Sequence, residues 1–161
     1  MTFTQSCTIS ASREAVWDFL MDMQNIAQCL PGVEDVRQVD AETYDGTLRI
    51  KMGPIALALQ GTIYVEAKDR AQWHGAMRAE AKDRRLGGGV RARLGMDLLE
   101  KGAAETEMRV TLEAHVLGKI GEFGQPVMRK RADAMLQDFA ANSADGWAMA
   151  QASVRDLFAE G

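Results

Sequence analysis

The chain has 161 residues, with 19 Lys and Arg against 23 Asp and Glu, a formal charge of -4, and 47% apolar residues. That length suits one domain with a sizeable core, and the balance is that of an ordinary globular protein. The acidic balance argues against nucleic-acid binding, the lack of a long apolar run against a transmembrane helix, and the N-terminal composition against a secretory signal.

Phe3, Cys7 and Ile9 alternate with Thr4, Ser6 and Thr8, which predicts a first strand. Ser12 then stands as an N-cap ahead of Val16, Trp17 and Leu20, whose spacing predicts a short helix over 13–21. A second short helix is expected over 22–29, stopped by Pro31-Gly32. Residues 33–117 read as consecutive antiparallel strands. Tyr44, Leu48, Ile50 and Met52 alternate with Asp45, Thr47, Arg49 and Lys51, and Gly53-Pro54 interrupts the pattern before Ile55, Leu57, Leu59, Ile63 and Val65 resume it. Lys68-Asp69-Arg70 reads as a turn, and Trp73, Gly75, Met77 and Ala79 as one face of the next strand. Gly87-Gly88-Gly89 marks a reversal before Val90, Ala92, Leu94, Met96 and Leu98. Lys101-Gly102 is the expected turn into Met108, Val110, Leu112, Ala114 and Val116.

A stretch reading as helix to about residue 141 opens at Gly118-Lys119-Ile120-Gly121-Glu122-Phe123-Gly124. Glycine within a helix costs about 1 kcal/mol relative to alanine, so Gly121 and Gly124 imply a use for the missing volume: close packing, or room for a ligand. Gly118 itself suits a turn or cap. Residues 142–161 form an appendage in which Trp147, Ala150, Val154, Leu157 and Phe158 fall at helical spacing; it is too short to span a bilayer.

Chemistry-bearing patterns are sparse. Cys7, Cys29, His74 and His115 have no metal-ligand spacing, and no nucleophile elbow occurs. The triple glycine is followed by strand rather than by the Lys-Ser/Thr and helix of a phosphate loop. Two cysteines and no signal fit a reducing, cytoplasmic setting. Ten methionines give either a plastic core or adaptable apolar walls. Arg129, Lys130 and Arg131 make one basic region of the last helix, too small for a typical lipid-binding cluster.

Four segments together carry a resemblance: Arg13-Glu14-Ala15-Val16-Trp17, Cys29-Leu30-Pro31-Gly32-Val33, Lys51-Met52-Gly53-Pro54-Ile55 and Gly118 to Gly124. In order and separation they resemble the carbon monoxide dehydrogenase G-subunit family of the START-like (SRPBCC), helix-grip superfamily, over roughly residues 2–141. The resemblance implies an α+β helix-grip fold: a curved antiparallel sheet of about seven strands wrapped around a long C-terminal helix, with two short helices after the first strand. It divides the chain into a domain at 1–141 and an amphipathic tail at 142–161. It further implies a non-catalytic accessory protein of a molybdenum hydroxylase that binds a lipophilic, quinone-like ligand and helps recruit the enzyme to the inner face of the membrane. No cofactor of its own and no nucleic-acid partner is implied.

The expected cavity is walled by Leu57, Leu59, Ile63, Met77, Leu94, Met96 and Met108 from the sheet, and by Gly121, Phe123, Gly124, Val127 and Arg131 from the helix. Alternation alone does not distinguish such a wall from a filled core. Arg131, close to the apolar stripe, could snorkel to the rim or meet a polar ligand head. The superfamily also hosts cyclases and hydrolases acting on hydrophobic small molecules; that alternative needs polar groups pointing inward, for which Gln5, Tyr64, Arg131 and Asp138 are the candidates. A third reading is a structural assembly factor with a filled core.

Overall fold

The computed structural model describes residues 2–52, 54–85, 87–119, 127–139 and 141–142. Strand β1 (Thr2–Ile9) leads into helices α1 (Arg13–Leu20) and α2 (Met23–Cys29). Six strands follow: β2 (Val33–Asp40), β3 (Thr43–Met52), β4 (Ile55–Asp69), β5 (His74–Asp83), β6 (Gly88–Gly102) and β7 (Glu105–Gly118). Residues 127–139 form a C-terminal helix, α3. The strands make one sheet in the order β1-β7-β6-β5-β4-β3-β2, and every pairing is antiparallel.

Local chemistry explains the boundaries. The Ser12 hydroxyl accepts from the Ala15 amide at 3.2 Å, starting α1, and the Asp22 carboxylate accepts from the Gln24 amide at 3.0 Å, starting α2. Helix α1 buries Val16, Trp17 and Leu20, one stripe of an amphipathic turn. The expected short helices and the run of strands are observed.

Several turns lie elsewhere than the sequence suggests. Lys68 and Asp69 still belong to β4, and Lys101 and Gly102 to β6, so both hairpins turn later. Trp73 is not a strand residue: it sits in the β4–β5 turn with a left-handed φ of 54°, and its amide donates to the Arg70 carbonyl at 3.2 Å. Gly118 ends β7 rather than opening a helix. Its φ is +71°, and a Cβ there would come within 2.8 Å of the Gly87 carbonyl oxygen, so glycine is required by the strand end. Gly121, Phe123, Gly124 and the tail beyond residue 142 lie outside the described residues.

The apolar side chains separate into two clusters. The larger joins Ile9, Val16, Trp17, Leu20, Met96, Leu98, Met108 and Phe139, tying α1 and α3 to β6 and β7. The smaller is built on Leu57 and Leu59, with Leu48, Ile50, Val90, Val116 and Met128 against them. Trp17 and Trp73 meet edge to face with ring centroids 5.9 Å apart, and the Arg13 guanidinium lies 4.4 Å from the Trp73 ring centre. These contacts fasten α1 to the β4–β5 turn.

Candidate functional site

An apolar cavity of about 330 Å³ lies between the sheet, the two short helices and α3. Its walls come from β1 (Phe3, Gln5), α1–α2 and the following loop (Leu20, Met21, Met23, Ile26, Leu30), β3–β5 (Tyr44, Ile63, Val65, Ala67, Lys68, Met77), β6–β7 (Leu94, Met96, Met108, Val110, Leu112) and α3 (Ala132, Met135, Leu136, Phe139). Strand alternation explains this set: Ile63 and Val65 face inward from β4, and Tyr44 stands directly opposite Ile63. Six methionines (Met21, Met23, Met77, Met96, Met108 and Met135) line the space among the described residues, which gives it soft walls able to repack.

Of the wall residues expected from the sequence, Ile63, Met77, Leu94, Met96 and Met108 line this cavity. Leu57 and Leu59 do not. They are 3% and 7% exposed and packed into the smaller cluster, where Met128 of α3 fills the space above them. Val127 is 42% exposed and turned away from the cavity, and Arg131 is not among the lining residues either. The alternation of the strands does not reveal the walls supplied by α1 and α2, although Met23, Ile26 and Leu30 recur at the i, i+3, i+7 spacing of one helix face.

Among the described residues, only three lining side chains carry polar groups: Gln5, Tyr44 and Lys68. Lys68 gains its place because the register of β4 against β5 shifts between Val65 and Ala67, a bulge that re-aims the residues after it. The other inward polar candidates lie elsewhere. Tyr64 is beneath the Arg78 guanidinium at 4.1 Å, and Asp138 is exposed on α3. His74 pairs with Asp97 across β5 and β6 at 2.8 Å, and His115 lies 3.8 Å from Glu113; both are at the surface. No group of three metal-ligating side chains occurs among the described residues.

A second, wider groove of about 470 Å³ is lined by Arg49, Lys51, Arg84 and Arg85 around the buried Asp83. The Asp83 carboxylate accepts from the Ala58 and Arg85 amides at 2.9 and 2.8 Å. This carboxylate serves the backbone of β4 and the β5–β6 turn, and the charged walls do not suit an apolar ligand. The apolar cavity is the better candidate.

A single antiparallel sheet with two short helices after its first strand, and a C-terminal helix bordering an apolar cavity, defines a START-like domain. Solved structures agree on that fold. A conserved protein from Geobacillus kaustophilus is 21% identical with a TM-score of 0.84, over 92% of this chain and 96% of that one. A START superfamily protein from Mycobacterium smegmatis (12% identity, TM-score 0.65) matches over 92% of this chain and 97% of that one. A norcoclaurine synthase point mutant from Thalictrum flavum (13%, TM-score 0.66) matches over 94% and 96%. Within this class the chain belongs to the carbon monoxide dehydrogenase G-subunit (CoxG) family, whose model matches residues 6–145.

Proposed function

We propose that the chain is a non-catalytic accessory protein of a carbon monoxide dehydrogenase-type molybdenum hydroxylase. It holds a lipophilic, quinone-like molecule in its cavity and aids recruitment of the enzyme to the inner face of the membrane, working from the cytoplasm. In this reading the sheet grips the C-terminal helix, and residues 142–161 form a tail outside the domain. The observation that carries the proposal is the cavity of about 330 Å³, whose lining is apolar apart from Gln5, Tyr44 and Lys68. Such a lining offers water few partners and rewards an apolar body. Family membership supports the hydroxylase partner. Among the described residues no helix is long and apolar enough to cross a membrane, so contact with a bilayer would be peripheral.

The cyclase or hydrolase alternative draws on fold neighbours such as the norcoclaurine synthase. It needs acid–base groups in the cavity, and of its four candidates only Gln5 lines the wall. An amide neither donates nor takes a proton near neutral pH, so in that alternative any acid–base work would fall to Tyr44 and Lys68, the other polar side chains of the wall.

Native mass spectrometry of the purified chain is expected to show a co-purifying lipophile released by organic extraction. Tagged chain is expected to retain a molybdenum hydroxylase from its own host. A chain that stays empty and fails to take up apolar probes would sink the ligand reading, and retention of no hydroxylase polypeptide would sink the accessory role.

A further inference from the structure

The alternation of β1 places Phe3, Gln5, Cys7 and Ile9 on one face, and Gln5 is the polar exception on it. Its neighbours Phe3 and Ile9 are buried, and Phe3 shares the cavity wall with it. Across the sheet, Tyr44 of β3 lies on the same wall as its cross-strand partner Ile63. Lys68 reaches the rim from the bulged end of β4. None of these three side chains makes a hydrogen bond or ion pair with another described residue. A wall that needed only packing would gain from leucine or phenylalanine at positions 5 and 44, both half-buried on the inward face.

The three groups share a capacity. The Gln5 amide, the Tyr44 hydroxyl and the Lys68 ammonium can each donate a hydrogen bond, and Lys68 can do nothing else. Their places in the sheet differ: β1 and β3 lie toward opposite flanks of the order β1-β7-β6-β5-β4-β3-β2. The strands between them supply Leu94, Met96 and Met77, an uninterrupted apolar floor. The wall is thus apolar in the middle and donor-bearing at its margins.

We propose that the cavity selects lipophiles that carry hydrogen-bond-accepting oxygens, and that Gln5 at one margin and Tyr44 at the other each offer a donor to a carbonyl-type oxygen inside while Lys68 at the rim attracts a carboxylate. The proposal rests on the reading of the cavity as a ligand site and specifies the head chemistry that site accepts. Bare hydrocarbon fits the methionine-lined floor but leaves the donors unanswered. An oxygen-bearing molecule of the same length answers them, and each hydrogen bond made in a water-poor site raises affinity by roughly threefold to tenfold.

The test uses the full chain and displacement of the fluorescent apolar probe N-phenyl-1-naphthylamine by three ten-carbon competitors: decane, 2-decanone and decanoate. The wild-type chain is expected to bind 2-decanone about tenfold more tightly than decane. The double variant Gln5→Leu, Tyr44→Phe should bring that ratio close to one while leaving decane binding intact. Lys68→Met should weaken decanoate several-fold and leave 2-decanone unchanged. Equal affinity of the wild-type chain for decane and 2-decanone, or a ratio the double variant does not move, overturns the proposal while leaving the cavity reading standing. An unmoved decanoate affinity in Lys68→Met removes the rim role. Failure of every competitor, decane included, overturns the cavity reading and the proposal with it. Urea midpoints report folding, and Tyr44→Phe alone, which deletes a single oxygen, repeats the test should the double variant not fold.

Discussion

At the scale of single residues, the buried polar residues among those described, Asp83 and Thr106, both bond to the backbone. Thr106 is fully buried, and its hydroxyl donates to the Ala11 carbonyl at 2.8 Å, joining β7 to the segment that leads into α1. Thr106→Val keeps the shape but leaves that carbonyl without its donor, so a loss of about 1–3 kcal/mol is expected in urea unfolding. Thr106→Ser, which retains the hydroxyl, should lose less. Cys7 offers a chemical readout of the same interior: burial pushes its thiol above the ordinary 9.0. In the folded chain, iodoacetamide should label Cys7 slowly at pH 8 and faster in urea, as read by peptide mass mapping. The sign for stability follows from the same shift. Below the unfolded thiol's pKa both states hold the proton; above it the unfolded chain releases it first, so this contribution falls as pH rises past about 9. Labelling of Cys7 at equal rates with and without urea would contradict its half-buried placement.

Among elements, the strands were legible because alternation reports which face of a strand is apolar, and that is a direct consequence of the pleat. Alternation does not report what covers the face. Leu57 and Ile63 belong to the same inward set of β4, yet the first is packed in the smaller cluster and the second borders the cavity. The difference lies in which part of α3 lies over each end of a strand 15 residues long, a tertiary fact. The Lys68 rim position was hidden for a related reason, since a bulge changes parity without leaving a compositional mark. Trp73 departs from the strand reading because an aromatic residue ordinarily favours strand, whereas here it takes a left-handed turn conformation and is flanked by the guanidinium groups of Arg13 and Arg70. One element-level consequence is testable. At Gly61, within β4, an added Cβ would lie 2.1 Å from the Glu80 carbonyl oxygen and 2.7 Å from the Ala81 Cβ. Gly61→Ala must push β5 away from β4, and a destabilisation of about 1–3 kcal/mol or more is expected by urea titration. A variant as stable as the parent would show that β4 and β5 are less closely packed there.

For the whole molecule, the question is whether the space beneath α3 is a wall awaiting an occupant or a defect in packing, and the two answers predict opposite behaviour. A native interior holds few voids larger than a water molecule, because every missing contact costs dispersion energy. Here the tightly packed and the open regions adjoin: Val16 is fully buried in the larger cluster, while Ala132 of α3 borders a cavity of about 330 Å³. Removing packed volume at Val16→Ala should cost about 1–3 kcal/mol while leaving apolar-probe uptake in place. Adding volume at Ala132→Phe should do the reverse. The ring enters existing space, so the unfolding midpoint stays or rises, while uptake of N-phenyl-1-naphthylamine falls several-fold. That crossed pattern, stability lost with binding kept in one variant and binding lost with stability kept in the other, is what a ligand cavity requires. An Ala132→Phe chain that unfolds more easily would instead mark the region as already filled, and one that binds the probe as before would place the occupant elsewhere.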